Sequence, residues 1–148
     1  MKSALEIINN HDKTAVEKVS SLYETKPYGV KEQENFYNAA AKIKTDYDLV
    51  ELFYFLKSIE MDLGRIKKEK WGPREIDLDI LFYNDNIYHD EVLDVPHAEL
   101  EKRDFVLVPL CEIEKGIVHP VSHKKICEFD KNKIEKHIIK KLQVSIFN

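Results

Sequence analysis

The sequence predicts an α+β fold with helices packed on an antiparallel sheet, and three observations carry that prediction. Residues 14–24 and 36–46 are rich in Val, Tyr, Ile and Thr, the composition of strands. Residues 48–65 repeat apolar side chains every three or four positions (Leu49, Leu52, Phe53, Leu56, Ile59, Leu63), as one buried helix face requires. The composition agrees: 148 residues, 43% hydrophobic and 34% charged, fit a single soluble domain over 1–148 with enough chain to bury a core.

The elements follow in order. Residues 2–9 read as the end of an amphipathic helix closed by Asn9-Asn10. The connection between the two strand-like runs holds Pro27 and Gly29 and is long for a hairpin; such loops more often carry function than not. Asp48 is placed to cap the helix that runs to about Arg65. A charged loop over 65–72 then leads to a strand at 76–83, a turn at Asn84-Asp85-Asn86 and a short returning strand at Ile87-Tyr88. Residues 104–113 are apolar and helical in character, with Pro109 expected to bend or break the element. Residues 131–142 read as a terminal helix, and Leu142 to Phe147 alternates as a strand would or packs as a tail.

Charge and cysteine content exclude several classes of function. A net charge of −4 argues against a nucleic-acid binder held by phosphate neutralisation. Basic residues nevertheless cluster at Arg65, Lys67, Lys68, Lys70 and Arg74, a local patch suited to a small polyanion, although lysines favouring a helix C-terminus account for some of them. Cys111 and Cys127 lack a Cys-x-x-Cys spacing, so neither a structural zinc site nor a disulfide framework is expected, and a reducing cytoplasm fits. His119 and His123 have the spacing of half a zinc motif but no cysteine pair to complete it. No apolar run approaches the ~20 residues that cross a bilayer, and the N-terminus lacks signal-peptide character. Neither membrane nor nucleic acid is therefore expected as a partner.

The most informative segment is Trp71-Gly72-Pro73-Arg74-Glu75-Ile76-Asp77-Leu78-Asp79-Ile80-Leu81-Phe82-Tyr83. Asp77 and Asp79 are two apart, so on a strand both point to one face, roughly 6–7 Å from each other. Two like charges at that spacing repel unless a cation lies between them, and an all-oxygen pair suits magnesium, which keeps waters and phosphate oxygens in its shell. A solvated strand edge would also explain an Asp-x-Asp. Here, though, Leu78, Ile80 and Leu81 make the strand core-like, Gly72-Pro73 enforces a sharp entry, and Arg74 supplies a planar fork for phosphate oxygens. Together they read as a magnesium–nucleotide site.

That segment resembles the signature of the 6-hydroxymethyl-7,8-dihydropterin pyrophosphokinases of folate biosynthesis. The similarity extends upstream to Ser21-Leu22-Tyr23-Glu24-Thr25-Lys26-Pro27-Tyr28-Gly29, Phe36-Tyr37-Asn38-Ala39-Ala40 and Glu60-Met61-Asp62-Leu63-Gly64-Arg65. Downstream it includes Val95-Pro96-His97 and Arg103-Asp104-Phe105-Val106-Leu107-Val108-Pro109-Leu110, for a span of about residues 3 to 129. The resemblance implies a ferredoxin-like core and transfer of pyrophosphate from ATP to the hydroxymethyl group of the dihydropterin. It further implies a cytoplasmic enzyme, monomeric, with ATP and dihydropterin as its small-molecule partners. The family begins with a strand ending in Gly-Ser-Asn-x-Gly ahead of the first helix. This chain starts inside that helix, so the first strand is expected to be missing, with unpaired sheet backbone as the consequence. A truncated nucleotide-binding relic or interaction module of the same fold is the competing reading.

By the same resemblance, Asp77 and Asp79 would hold two magnesium ions, with Arg65 and Arg74 as their catalytic companions at the phosphates. Arg65, Lys67, Arg74, His97 and Arg103 would surround the triphosphate, with Ile80 also on the nucleotide. Lys67 stands where the family often has arginine, which forfeits a bidentate contact. Glu60 reads either as a nucleotide contact or as a surface carboxylate, and Trp71 either as a lid over the nucleotide or as a core residue. For the pterin, Phe36 and Phe105 would stack, Asn38 would read the ring edge, and Thr25, Pro27 and Tyr28 would add loop contacts.

Overall fold

The computed structural model describes residues 1–26, 35–66 and 76–142. Helix α1 (Lys2–Asn10) leads through a turn into β1 (Thr14–Val19) and β2 (Leu22–Thr25), and β3 (Phe36–Asn38) and β4 (Ala41–Thr45) return antiparallel. Helix α2 (Leu49–Ile66), the short strands β5 (Tyr88–His89) and β6 (Asp94–Val95), helix α3 (Asp104–Ile113) and β7 (Ile138–Leu142) complete the order. Helices and antiparallel strands together make an α+β fold.

Each strand-like run of the sequence divides in two, because Ser20 interrupts its ladder. The Ser20 hydroxyl accepts the Ala40 N–H at 2.8 Å, and the Ser20 N–H donates to the Ala40 carbonyl at 2.8 Å. Beyond that bend the strands leave one ladder for another. β1 pairs β4 in one, and β3, β2 and β7 form a second in the order β3-β2-β7. β5 and β6 form a third, closed by Asp90, whose Oδ1 accepts the N–H groups of Val92 and Leu93.

Asp48 caps α2 as its position suggests. Its Oδ1 accepts the Glu51 N–H at 2.8 Å while Glu51 Oε1 accepts the Asp48 N–H at 3.1 Å, a reciprocal capping box. The apolar face of α2 is buried through Leu49, Leu52, Leu56 and Ile59, and with Ala4 and Ile8 of α1 it forms the larger core, to which Ile80, Leu93 and Val95 also belong. A second, smaller core gathers Leu100, Leu107, Leu110 and Ile126 around α3.

Four expectations are corrected. The segment 76–83 keeps the in-and-out alternation of a strand over 76–80 but pairs with no strand among the described residues. Its side chains instead bridge the two cores: Ile76, Leu78, Ile80 and Tyr83 face the larger, Leu81 and Phe82 the smaller. The terminal helix over 131–142 is replaced by turns and then β7, which pairs antiparallel with β2 from Leu22↔Leu142 to Thr25↔Ile138. Apolar residues at 134, 138 and 142 suit a helix period, but an open strand edge overrides so weak a local preference. Finally, Cys111 and Cys127 are joined in a disulfide, where none was expected. Their separation of 16 residues gives no local signal, and only the return of the chain past α3 brings them together. Pro109 does not break α3, which continues from Asp104 to Ile113 with Pro109 buried inside it.

Candidate functional site

Ile76, Leu78 and Ile80 turn inward, and this sets Asp77 and Asp79 on the exposed side of their segment, both facing the same way. What fixes the register is α2. Glu60 Oε1 accepts the Leu78 N–H at 2.7 Å and pairs with Lys57 Nζ at 3.1 Å, while Lys57 Nζ donates to the Leu78 carbonyl at 3.3 Å. The two side chains thus grip both polar groups of one residue between the aspartates, doing the work that a neighbouring strand would do in a sheet. Glu60 is only 11% exposed, which rules out a solvated surface carboxylate.

Beside this segment lies a cleft of about 200 Å³ whose lining includes Lys57, Asp79, Ile80, Asp94 and His97. The chain bends at Pro96 just after β6, and the His97 N–H donates to the Leu81 carbonyl at 3.0 Å. His97 Nδ1 accepts the Glu99 N–H at 3.1 Å, so the neutral ring carries its proton on Nε2 and presents a donor. A larger concavity of about 310 Å³ between Val50, Tyr83 and Ile87 holds none of the predicted residues, and its carboxylate, Asp48, is spent on the α2 cap.

The residues expected on the pterin side collect on a different surface. Thr25 pairs with Phe36 across β2 and β3, and Tyr23 pairs with Asn38. Thr25 is 1% exposed; its hydroxyl accepts from Asn38 Nδ2 at 2.9 Å and donates to the Phe36 carbonyl at 3.3 Å. Both polar groups of the Asn38 amide are therefore not equally available: its NH₂ is oriented by Thr25. Helix α3 packs on β2 and β3, and Phe105 stands in its first turn with the Arg103 guanidinium 5.7 Å from the ring centroid.

The structure thus brings Asp79, Ile80 and His97 together at one cleft, with Asp77 beside them and Glu60 beneath, and it groups Thr25, Phe36 and Asn38 on adjoining strands. Arg65 lies in the last turn of α2, and its side chain lies outside the described residues, as do Pro27, Tyr28, Lys67, Trp71 and Arg74. Among the described residues no three His, Cys, Asp or Glu side chains converge as a closed metal site. The open aspartate pair fits magnesium, which takes few protein oxygens and completes its shell with water and phosphate. Lys57 escaped the sequence reading; its i,i+3 spacing from Glu60 was the available signal.

The profile of a family described as 7,8-dihydro-6-hydroxymethylpterin-pyrophosphokinase matches residues 1–115. The chain is similar to the 2-amino-4-hydroxy-6-hydroxymethyldihydropteridine pyrophosphokinase of Aquifex aeolicus, 46% identical over 114 residues that cover 77% of this chain and 71% of the relative. The enzyme of the same name from Haemophilus influenzae is 39% identical over 122 residues, 82% of this chain and 76% of the relative. Similarity also reaches the folic acid synthesis protein fol1 of Schizosaccharomyces pombe, 41% identical over 128 residues, which are 86% of this chain but 18% of that protein.

Proposed function

This chain belongs to the 7,8-dihydro-6-hydroxymethylpterin-pyrophosphokinase family, and from that membership we propose how its residues carry the reaction. The enzyme transfers pyrophosphate from ATP to the hydroxymethyl group of 6-hydroxymethyl-7,8-dihydropterin, giving AMP and the pterin diphosphate for folate synthesis. The truncated-relic reading is not favoured, since identity to the named pyrophosphokinases runs through most of the chain.

The hydroxymethyl oxygen attacks the β-phosphorus as the bond from that phosphorus to the AMP oxygen breaks. Such a reaction needs alignment and charge neutralisation rather than a covalent protein nucleophile. Asp77 and Asp79 would hold two magnesium ions against the triphosphate. When bound, magnesium neutralises phosphate charge and lowers the pKa of the attacking hydroxyl. Arg65, Arg74 and Lys67 would bind phosphate oxygens from one side, and His97 and Arg103 from the other, His97 through its Nε2–H. Ile80 and Trp71 would flank the nucleotide. Glu60 acts beneath the site by gripping the Leu78 backbone, which keeps both aspartates turned outward.

On the acceptor side, Phe36 and Phe105 would stack on the pterin, Asn38 would read its edge, and Thr25, Pro27 and Tyr28 would complete the pocket. The core is expected to be ferredoxin-like, with 1–148 as one domain acting as a monomer without nucleic-acid or membrane partners; the cytoplasmic assignment rests on the family and not on the cysteines, which are joined. Among the described residues no helix is long and apolar enough to cross a membrane.

The observation that supports this reading most directly is the exposed aspartate pair, held in register by Glu60 and Lys57 at the rim of a cleft that also contains His97. The test is AMP formation from ATP with and without the dihydropterin, at graded magnesium. AMP that requires both is expected. AMP release independent of the pterin, or of divalent cation, would overturn the assignment.

A further inference from the structure

The chain beyond α3 returns to lie across the start of that helix. The Glu135 N–H donates to the Lys102 carbonyl at 2.8 Å, and the Asp104 N–H donates to the Glu135 carbonyl at 3.1 Å. Two residues on, the buried Asp104 carboxylate accepts the His137 N–H at 2.9 Å and the Ile138 N–H at 2.9 Å. The His137 carbonyl faces the other way and accepts the Lys26 N–H at 2.9 Å, at the end of β2. Residues 135–138 are therefore a strap tied to α3 on one side and to β2 on the other. These are the two elements that carry Phe105 and Thr25.

With both backbone groups of His137 engaged, its position is set, and its side chain is only 17% exposed. The ring meets that of Phe105 edge to face, with centroids 5.6 Å apart and an interplanar angle of 86°. The imidazole Nδ1 lies 4.0 Å from Asp104 Oδ1. A ring that must stack on a flat heterocycle binds better if it is already fixed, because the entropy of ordering it is then not lost on binding. Phe105 stands half-buried in the first turn of α3, with the Arg103 guanidinium 5.7 Å from its ring centroid and the His137 ring at its edge. The strap supplies a wall.

We propose that His137 is a positioning residue for the dihydropterin, holding the Phe105 ring in its stacking orientation through an edge-to-face contact. Residue 137 lies beyond the residues 1–115 that the family profile matches. Because the edge contact rests on ring shape, a phenyl group serves in place of the imidazole. The proposal builds on the assignment of Phe105 to the pterin.

The experiment measures KM for dihydropterin and for ATP, with kcat and the thermal midpoint, in the full chain and in His137→Ala, His137→Leu, His137→Phe and Phe105→Ala. Leucine fills the space without a ring edge and keeps the comparison sound where alanine loosens the fold. His137→Leu and His137→Ala are expected to raise the dihydropterin KM about three- to tenfold, the equivalent of one aromatic pair. The ATP KM is expected to stay within about twofold, and His137→Phe to return the dihydropterin KM to within about twofold of wild type, as a surviving edge contact would. An unchanged dihydropterin KM in the leucine variant overturns the proposal, as does an equal rise for both substrates or a phenylalanine variant no better than leucine. If Phe105→Ala leaves the dihydropterin KM unchanged, the underlying assignment of Phe105 fails. If Phe105→Ala raises it and His137→Leu does not, only the role of His137 fails.

Discussion

The two halves of the candidate site are built by different means. On the acceptor side, Thr25, Phe36 and Asn38 sit in a three-stranded ladder, and α3 is fastened to that ladder by Glu112. This carboxylate accepts the Tyr23 hydroxyl at 2.5 Å, the Ser21 N–H at 2.7 Å and the Ser21 hydroxyl at 3.0 Å, and pairs with Lys141 at 3.9 Å. The aspartate side has no ladder among the described residues. Asp77 and Asp79 depend on apolar anchors to either side and on two side chains of α2 that grip Leu78. The difference teaches that the proposed acceptor side can rest on distributed backbone bonds, whereas the Asp-x-Asp segment relies on its apolar anchors and the Glu60–Lys57 clamp and should be correspondingly sensitive to the clamp.

The largest expected effect is at the chemistry itself. Asp79→Ala should lower kcat by on the order of a hundredfold or more, the scale of losing one strong electrostatic element. Because Asp79 is exposed, the thermal midpoint should barely move, and near-normal turnover would remove the metal assignment.

Next comes the clamp. Glu60→Ala leaves the Leu78 N–H and the Lys57 ammonium without their carboxylate, a cost of about 1.5–3 kcal/mol for a charged hydrogen bond. Turnover should fall as Asp77 and Asp79 lose register, and chemical denaturation with steady-state kinetics reads both effects. Glu60→Gln keeps an acceptor for Leu78 and should restore most of the stability. If Glu60→Ala changed ATP affinity alone, with unaltered stability, a direct nucleotide contact would explain it better than the clamp.

On the acceptor side, reducing the Cys111–Cys127 bond should lower stability by about 2–3 kcal/mol, the chain-entropy value for a loop of that length. Turnover at moderate temperature should survive, because the bond lies at the far end of α3 from Arg103 and Phe105. A midpoint unmoved by dithiothreitol would show that the cross-link adds nothing to the fastening already made by Glu112.

The smallest effect is the pH dependence of that fastening. Desolvation would raise the Glu112 pKa, but the bonds from Tyr23 and Ser21 and the nearby Lys141 outweigh it and hold the carboxyl below its ordinary 4.5. The same contact, together with desolvation, pushes the Tyr23 hydroxyl up. A depressed folded-state pKa contributes stability that is fully present above pH 4.5 and is lost as pH falls through the lower folded value. Thermal midpoints from pH 7 to pH 3 should therefore fall less steeply in Glu112→Gln than in wild type. Parallel curves would mean that Glu112 is not an acid-sensitive tie.

Local pattern carried a good part of this molecule. The α2 helix was legible in full, because both its signals are local: a capping pair three residues apart and an apolar period of 3.6. The Asp-x-Asp segment was legible in which side chains turn inward over residues 76–80, since alternation alone decides that. Its lack of a ladder among the described residues was not, because pairing depends on which strands lie near. The disulfide, β7 and the strap at residues 135–138 were hidden for the same reason, each joining residues 16 or more positions apart.

What the sequence by itself determined is the α+β class and the buried face of α2, because residue type and short spacing set both. Only the tertiary structure decided that Glu60 grips Leu78, that His97 joins Asp79 at one cleft, and that His137 stands against Phe105. Those contacts arise where elements distant in sequence pack together, and no local preference encodes which side chain will then face which.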